Sequence, residues 1–165
     1  MASIIIRPAK ETDIERLCDL YIEFHEFHAR YLPIFLQSMG EPSKQQRLEL
    51  SQELGHILQK SDASILVAEK SGTVIGFAEV HLRLPDLKER AKTHTRYAHL
   101  QSLMVTEPYR HKRVGIFLLK ATEDWARAHG AIELRLDIWE FAAGPLKFYQ
   151  KSGYRTFRRS LIKNI

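Results

Sequence analysis

The clearest chemical signal in this sequence is a basic, glycine-containing loop, Tyr109-Arg110-His111-Lys112-Arg113-Val114-Gly115. It lies between a segment typical of a strand and the first turn of the strongest predicted helix. The first turn of a helix exposes about four unpaired N–H groups and carries roughly half a positive charge. Basic side chains and a glycine at that place favour binding of a phosphate or pyrophosphate group. A solvated basic turn is the alternative interpretation.

A second segment with a distinctive pattern lies downstream, at Phe148-Tyr149-Gln150-Lys151-Ser152-Gly153-Tyr154. It follows another predicted strand and puts Tyr149 on a short helix. Gly153 stands where a left-handed residue would end that helix. The order of the two segments, a basic loop and then a tyrosine before a helix end, is more specific than either segment alone.

Together these segments resemble the two signatures of the GNAT superfamily of N-acyltransferases. The stretch 105–115 looks like the acyl-CoA pyrophosphate loop of that family, whose pattern is Gln/Arg-x-x-Gly-x-Gly/Ala, and 148–154 looks like its second signature. The resemblance in element order covers residues 3–163, and its motifs lie within 97–154. It implies transfer of an acyl group, usually acetyl, from acetyl-CoA to an amine, with coenzyme A chemistry and no metal.

The resemblance also implies roles for particular residues. The main-chain amides of residues 111–116 would hold the pyrophosphate, and a splayed strand end would offer partners to the pantetheine arm and the thioester oxygen. Tyr149 would act as the general acid that protonates the departing thiolate, and a core aromatic residue is its alternative role. The expected cofactor-binding residues are Leu103, Met104, Val105, Arg110, His111, Lys112, Arg113, Val114, Gly115 and Ile116.

Three positions depart from the family pattern. Arg113 stands where the first glycine of the loop is usual, so it must adopt a compatible backbone conformation or place its guanidinium on the phosphates. Ala142 replaces the asparagine that commonly follows the penultimate strand. Gln101 stands where many relatives carry a glutamate, and an amide cannot accept a proton at neutral pH.

The general base is therefore left open between several residues. An alkylammonium acceptor must lose a proton before it becomes nucleophilic. Glu79, His81 and His99 are the available bases, and Gln101 could instead position a water molecule. Histidine ordinarily titrates nearest to neutral pH, which favours His99, although a half-buried strand histidine is the simpler interpretation of it.

Other candidate sites carry weaker signals. His25 and His28 could share one face of a helix, but two histidines without a third ligand make a poor zinc site, so no metal is expected. Cys18 falls on the apolar stripe of the same helix, so we expect a core residue rather than a nucleophile. Direct attack by the amine in a ternary complex is therefore preferred over an acyl-cysteine route.

Length and composition indicate what kind of protein this is. The 165 residues, with 44% hydrophobic and 27% charged, predict one globular domain over 1–165. A single cysteine excludes an intramolecular disulfide and favours a reducing compartment, and neither a signal peptide nor a membrane span is recognised. We therefore expect a cytoplasmic protein without a membrane partner. The net charge of +5 favours an anionic partner without identifying it.

Hydrophobic patterning predicts the elements that position these residues. We expect a strand at Ile4–Ile6, a helix from a Thr12–Glu15 capping box, and a second helix capped at Ser43. Further segments are predicted at 64–69, 73–80 and 97–105 as strands, at 114–128 as a helix, at 132–139 as a strand, at 145–152 as a helix beginning with Pro145, and at 154–162 as a final strand.

The predicted order is β-α-α-β-β-β-α-β-α-β, a mixed α/β fold. It corresponds to a GNAT-like, mainly antiparallel sheet flanked by helices, in which the strands on either side of the 114–128 helix are parallel neighbours. His28, Tyr31 and Phe35 would wall the acceptor pocket, and the loop 85–96 could lie across it. The acceptor itself, a small-molecule or peptide amine, is not specified by the sequence, which also permits a homodimer.

Two other functions compete with catalysis. A regulatory module that binds acyl-CoA without turnover would account for Gln101 and Arg113. Nucleic-acid binding is suggested by the basic loop and by the cluster Arg155, Arg158, Arg159 and Lys163. A nucleic-acid binder needs a coherent basic face with stacking or groove-reading elements, which the sequence does not offer, so no nucleic-acid partner is expected.

Overall fold

The computed structural model describes residues 3–31, 40–85, 96–142 and 144–163. Short 3-10 turns at Glu11–Asp13 and Glu107–Tyr109 lie before the first and third helices. The strands and helices, in chain order, are β1 (Ile4–Pro8), α1 (Ile14–Ala29), α2 (Lys44–Leu58), β2 (Ala63–Lys70), β3 (Thr73–Arg83), β4 (Tyr97–Val105), α3 (Val114–Ala128), β5 (Leu134–Leu136) and α4 (Leu146–Lys151).

The strands form one sheet in the order β1-β2-β3-β4-β5. Neighbours are antiparallel except for β4 and β5, which are parallel. The predicted mixed, mainly antiparallel sheet is thus confirmed, as is the parallel pair on either side of α3. A parallel pair requires a crossover connection, and α3 provides it.

Helices cover both faces of the sheet. On one face α1 and α2 bury Leu17, Leu20 and Leu54 against strand residues such as Phe77. On the other face α3 and α4 pack Leu118 and its neighbours against the opposite side of the same strands. Because both faces are covered, β2 and β3 are almost continuously buried, which explains their unbroken apolar runs.

The first helix begins differently from the expected capping box. The carboxylate of Asp13, not the Thr12 hydroxyl, organises this end, accepting a hydrogen bond from the Lys10 amide at 2.8 Å. Arg7 on β1 donates to the same carboxylate at 2.7 Å and thereby joins the helix start to the sheet. The second helix is capped as predicted, since the Ser43 hydroxyl accepts from the Gln46 amide at 3.2 Å.

The C-terminal part departs most from expectation. The strand predicted over 132–139 is reduced to β5, and 154–163 has no regular secondary structure. A three-residue strand offers too short an edge for the strand-forming residues of that segment to pair with. Phe157 accordingly remains 75% exposed, although the guanidinium of Arg135 lies 5.2 Å from its ring centre. Helix α4 begins at Leu146, with Pro145 as the residue before it rather than its first.

Gly76 on β3 lies opposite Val105, at the end of β4. A Cβ atom on Gly76 would stand 2.6 Å from the main-chain oxygen of Met104, a distance that forces the backbone apart. We expect Gly76→Ala to lower the free energy of unfolding by about 1–3 kcal/mol in urea titrations.

The matched control is Gly55→Ala in α2, where the nearest atom to a new Cβ is Ile14 Cδ1 at 3.8 Å. Alanine is the better helix former by about 1 kcal/mol, so this variant should be as stable as the parent or more so. Equal losses in the two variants would show that the close approach of β3 and β4 is not the cause.

Candidate active site

The last two strands of the sheet, β4 and β5, pair over only part of the length of β4. β4 pairs with β5 only as far as Leu100 opposite Leu136, whereas it pairs with β3 as far as Val105 opposite Gly76. Beyond Leu100 the β5 side of β4 therefore has no strand beside it. The expected cofactor residues Leu103, Met104 and Val105 lie on this part of the strand. Apart from the Val105 carbonyl, which accepts a hydrogen bond from Arg110, main-chain groups there are available to a ligand that lies in the gap.

The gap leads to the N-terminus of α3. The main-chain ladder of the helix starts with the Phe117 amide donating to the Arg113 carbonyl at 3.1 Å. The amides of Val114, Gly115 and Ile116 precede this first bond and point out of the helix end. The predicted basic loop and the predicted helix start therefore meet as expected.

Arg113 adopts a left-handed conformation, with φ of +66°. This is the compatible backbone conformation that replacement of the usual glycine requires, and for an L-residue it costs about 1–2 kcal/mol. His111 also has a positive φ, of +60°. Gly115 lies in the first turn of α3, where a Cβ would stand 3.4 Å from Phe148 on the second signature segment, an ordinary van der Waals distance.

The basic side chains of the loop do not all point to the helix end. Arg110 donates from Nε to the Val105 carbonyl at 2.9 Å, and its guanidinium lies 4.9 Å from the ring centre of Phe27. It also lies 3.6 Å from Glu23 of α1. The charge of Arg110 is therefore directed towards the end of β4 and α1. The Lys112 ammonium lies 5.5 Å from the ring centre of Tyr109 within the loop.

Tyr149 is buried on α4 with its ring between those of Phe148 and Tyr154, at centroid distances of 5.0 and 5.7 Å. No hydrogen bond joins its hydroxyl to another described residue, and no fully buried polar side-chain atom in the described part of the chain lacks a partner. The hydroxyl must therefore keep contact with solvent. Burial raises the pKa of Tyr149 well above its ordinary value, so the phenol stays protonated.

The candidate bases lie on the α1 face of the sheet, where two of them are in contact. His81 Nε2 lies 2.6 Å from Glu79 Oε1, and the hydroxyl of Tyr21 donates to the other oxygen of Glu79. His99 lies opposite His81 in the β3–β4 ladder, but its closest carboxylate, that of Asp137, is 3.9 Å away. Burial, followed by the charge of Arg83, lowers the pKa of His99.

Gln101 occupies an irregularity in β4. The ladder pairs Glu79 with Ser102 and Val80 with Leu100, which leaves Gln101 as an extra residue. Its side chain is exposed and accepts a hydrogen bond from Arg83 at 3.0 Å. This amide is therefore already engaged by a neighbouring cation.

Aromatic side chains connect the end of α1 with the chain that follows β5. Tyr31 stacks on Phe141 with centroids 4.4 Å apart, and Phe27 and His28 contact the same ring edge-on or tilted. His28 and Tyr31 were expected near an acceptor pocket, whereas Phe27 and Phe141 were not recognised in the sequence. The expected wall residue Phe35, and positions 86–95 of the expected loop, lie outside the described residues.

Two further residues singled out in the sequence, Cys18 and His28, have well-defined surroundings. Cys18 is fully buried among α1 core residues, which confirms its predicted position, and burial raises the pKa of its thiol. His28 Nδ1 donates to the Phe24 carbonyl at 2.8 Å. Within the described ranges there is no cluster of three or more histidine, cysteine or carboxylate side chains that could hold a metal ion, and no helix there could cross a membrane.

Comparison with known proteins places the chain in a family. The sequence profile of the Acetyltransferase (GNAT) family matches residues 14–154. The chain therefore belongs to the GNAT family of acetyltransferases. Its fold, a mostly antiparallel sheet flanked by helices, agrees with that assignment.

Among sequence relatives, an "IAA acetyltransferase" of Azospirillum brasilense is 31% identical over 97 residues, which is 59% of this chain and 58% of that protein. The matched part is thus less than two thirds of that relative. The "Uncharacterized N-acetyltransferase YhfO" of Bacillus subtilis is 26% identical over 149 residues, covering 90% of this chain and 88% of that protein.

Solved structures resemble the whole chain. A mutant of the BH1408 protein from Bacillus halodurans superposes with a TM-score of 0.84 at 20% identity, covering 98% of this chain and 99% of that one. The aminoglycoside N-acetyltransferase AAC(6')-Iy in complex with CoA gives a TM-score of 0.78 at 19% identity, covering 100% and 96% of the two chains. At such identities the likeness shows a shared fold.

The left-handed conformation of Arg113 generates a stability prediction. Glycine adopts this conformation without the steric cost that alanine retains, so Arg113→Gly should have a free energy of unfolding about 1 kcal/mol greater than Arg113→Ala. Both variants lose the guanidinium, so comparing them isolates the backbone effect. Urea titration measures the difference, and a more stable alanine variant would contradict the left-handed assignment.

Proposed function

We propose that this protein transfers an acetyl group from acetyl-CoA to a primary amine by direct attack in a ternary complex. The observation that carries the proposal is the gap between β4 and β5 beyond Leu100, which leads to the uncapped amides at the start of α3. Acetyl-CoA matches this path, because its long pantetheine arm suits the gap and its pyrophosphate suits the amides at the helix start.

The pyrophosphate is proposed to bind the amides of residues 111–116. Their partial positive charge is intrinsic to the helix end, and Lys112 and Arg113 are exposed there and add mobile charge. Arg110 contributes in a different way, because its bond to the Val105 carbonyl connects the loop to the end of β4. The pantetheine arm would then run along Leu103, Met104 and Val105.

The chemistry needs an amine with a free electron pair next to the thioester carbon. The nitrogen forms a bond to that carbon, the carbonyl oxygen becomes negative, and a main-chain N–H of the parted strand stabilises it. As the intermediate collapses, the carbon–sulfur bond breaks and the thiolate takes a proton from Tyr149. The positively charged nitrogen loses one proton as it becomes the amide, and that proton restores the phenol of Tyr149. Because burial raises the pKa of Tyr149, the phenol carries its proton at neutral pH.

The relatives support an acetyl donor and a nitrogen acceptor. AAC(6')-Iy is an aminoglycoside N-acetyltransferase crystallised with CoA, and YhfO is named as an N-acetyltransferase. The acceptor is proposed to be a small-molecule or peptide amine that reaches the gap beside the aromatic group at the end of α1. Tyr31 and Phe141 are the rings of that group with the closest stacking.

A non-catalytic acyl-CoA-binding module is the second candidate. It is favoured by Gln101, which is bound to Arg83 where many relatives carry a glutamate. Calorimetry with acetyl-CoA, followed by detection of free thiol on adding a panel of primary amines, separates the two functions. Binding with thiol release supports the enzyme, and binding without release for every amine supports the module. Salt-sensitive oligonucleotide binding without affinity for acetyl-CoA would contradict both.

Removal of the Tyr149 hydroxyl tests the general acid. Because that hydroxyl has no bond to another described residue, Tyr149→Phe should leave the fold intact. We expect kcat to fall by about 10- to 1,000-fold with little change in affinity for acetyl-CoA.

The matched control for this variant is Tyr154→Phe. It removes a neighbouring phenol whose hydroxyl donates to Glu123 at 2.8 Å, and kcat should stay near the parent value. Steady-state kinetics measure both variants, and an unchanged kcat in Tyr149→Phe would remove Tyr149 from the mechanism.

A carboxylate in the first turn of α3 tests the pyrophosphate site. Ile116 is 44% exposed, so Ile116→Glu places a negative charge beside the proposed phosphates without a core clash. We expect affinity for acetyl-CoA in calorimetry to fall by about tenfold or more, since 1.4 kcal/mol corresponds to a factor of ten.

Ile116→Gln serves as the uncharged control and should bind nearly as the parent does. Gly115→Glu should also weaken binding, but its side chain meets Phe148, so its folding must be checked by circular dichroism. Parent-like affinity in a folded Ile116→Glu protein would mean that the phosphates bind elsewhere.

A further inference from the structure

A buried carboxylate on β3 has both of its oxygens occupied. Glu79 Oε1 is bound to His81 Nε2 at 2.6 Å, and its Oε2 accepts a hydrogen bond from the hydroxyl of Tyr21 on α1. The side chain of Glu79 is 8% exposed, whereas that of His81 is 20% exposed. The histidine is therefore the member of the group through which the carboxylate can act on a ligand.

These contacts determine which nitrogen of His81 carries the hydrogen. An ionised carboxylate only accepts hydrogen bonds, so both of its partners must donate. Burial and the charge of Glu79 hold the pKa of Tyr21 well above its usual range, so Tyr21 keeps its proton. His81 in turn donates through Nε2–H, which leaves Nδ1 as the unprotonated nitrogen of the neutral ring. No described residue is bound to that nitrogen.

Neither of the other nearby candidates, His99 and Gln101, offers a base that is held by a carboxylate as His81 is. His99 faces His81 across the ladder, but its pKa is lowered, first by burial, and it has no carboxylate within hydrogen-bond distance. Gln101 has no basic atom. The titratable and charged groups around the pair are Tyr21 on α1, Glu53 on α2, Arg83 on β3, His99 on β4 and Asp137 after β5.

We propose that His81 Nδ1 is the general base of the acetyl transfer, with Glu79 as the residue that positions it and Tyr21 as the residue that fixes Glu79. This assignment rests on the proposed function. One N–H bond of the acceptor ammonium breaks, its proton moves to Nδ1, and the freed electron pair attacks the thioester carbon. The Glu79 carboxylate, which accepts from Nε2–H, stabilises the imidazolium. The imidazolium then releases the proton to solvent.

The test compares two acceptors with the whole protein and acetyl-CoA. One is the primary alkylamine that gives the fastest thiol release in the amine panel, and the other is hydroxylamine, which is largely uncharged at neutral pH and needs no base. We expect His81→Asn to lower kcat/KM for the alkylamine by about 100-fold near pH 7. The loss for hydroxylamine should be at least tenfold smaller.

The pH profile provides a signature that loss of folding would not produce. With His81→Asn, kcat/KM for the alkylamine should keep rising into the alkaline range, because only the free-amine fraction reacts. The parent should level off at lower pH. His129→Asn is the control for removal of a histidine, since His129 stacks on Trp125 at the far end of α3. It should retain the parent profile.

A second measurement needs no acceptor. Nitrogen-15 NMR of the imidazole rings should show the neutral form of His81 protonated at Nε2 in the parent, with its resonances assigned by their loss in His81→Asn. Glu79→Gln should shift this towards a mixture of the two tautomers, because an amide can also donate. Tyr21→Phe should cause a smaller shift, since the contact between Glu79 and His81 remains.

The outcomes separate the base assignment from the function. Equal alkylamine kinetics for His81→Asn and the parent, or an Nδ1-protonated His81 in the parent, would overturn the assignment while thiol release upholds the acetyltransferase. The assignment of His81 would also be overturned if the pH profile of kcat/KM lost its plateau in His99→Asn and kept it in His81→Asn. No thiol release by the parent with any amine would overturn the proposed function and the assignment together.

Discussion

The pairing of β4 is asymmetric, and the arrangement of the whole site depends on this asymmetry. One edge of the strand is held by β3 over its full length, while the other is held by β5 only at Ala98, His99 and Leu100. Main-chain groups beyond Leu100, apart from the Val105 carbonyl that Arg110 binds, therefore have no strand partner on that side. The same strand then turns through 107–109 into α3, so the gap and the helix end lie along one continuous stretch of chain.

The neighbouring elements keep that stretch in place. Gly76 lets β3 lie close to the end of β4, and Gly115 of α3 lies next to Phe148 beside Tyr149. Arg110 connects the loop to Val105 and to α1. The left-handed Arg113 shows that this turn is retained although the residue best suited to it is absent, because the surrounding contacts compensate for its steric cost.

Sequence patterns predicted the central elements well, for physical reasons. The apolar periodicity of 114–128 and the capping box at Ser43 are local signals, and both helices are confirmed. The final strand at 154–162 was predicted wrongly, because strand propensity needs a partner edge and β5 is too short to provide one. The position of the α1 start is confirmed, but the capping box expected there was wrong, since Asp13 is held by the Lys10 amide and by Arg7 from another element.

In the candidate site, too, the features encoded by local sequence signals could be predicted, and those that depend on contacts between distant elements could not. The basic loop and Tyr149 are adjacent to local signals and could be found in the sequence. The contact between Glu79 and His81 could be suspected from their alternate positions on one strand, but the role of Tyr21 could not, because it arises from packing between α1 and β3. Phe141 meets Tyr31 across a large sequence separation, and no local pattern encodes that contact.

A crystal structure of the protein with CoA would show whether the cofactor follows the proposed path from β4 to α3. We expect pyrophosphate oxygens within hydrogen-bond distance of the amides of residues 111–116, the pantetheine arm beside Leu103–Val105, and the sulfur next to the Tyr149 hydroxyl. Density for CoA at another surface, or none at millimolar concentration, would contradict the proposed path.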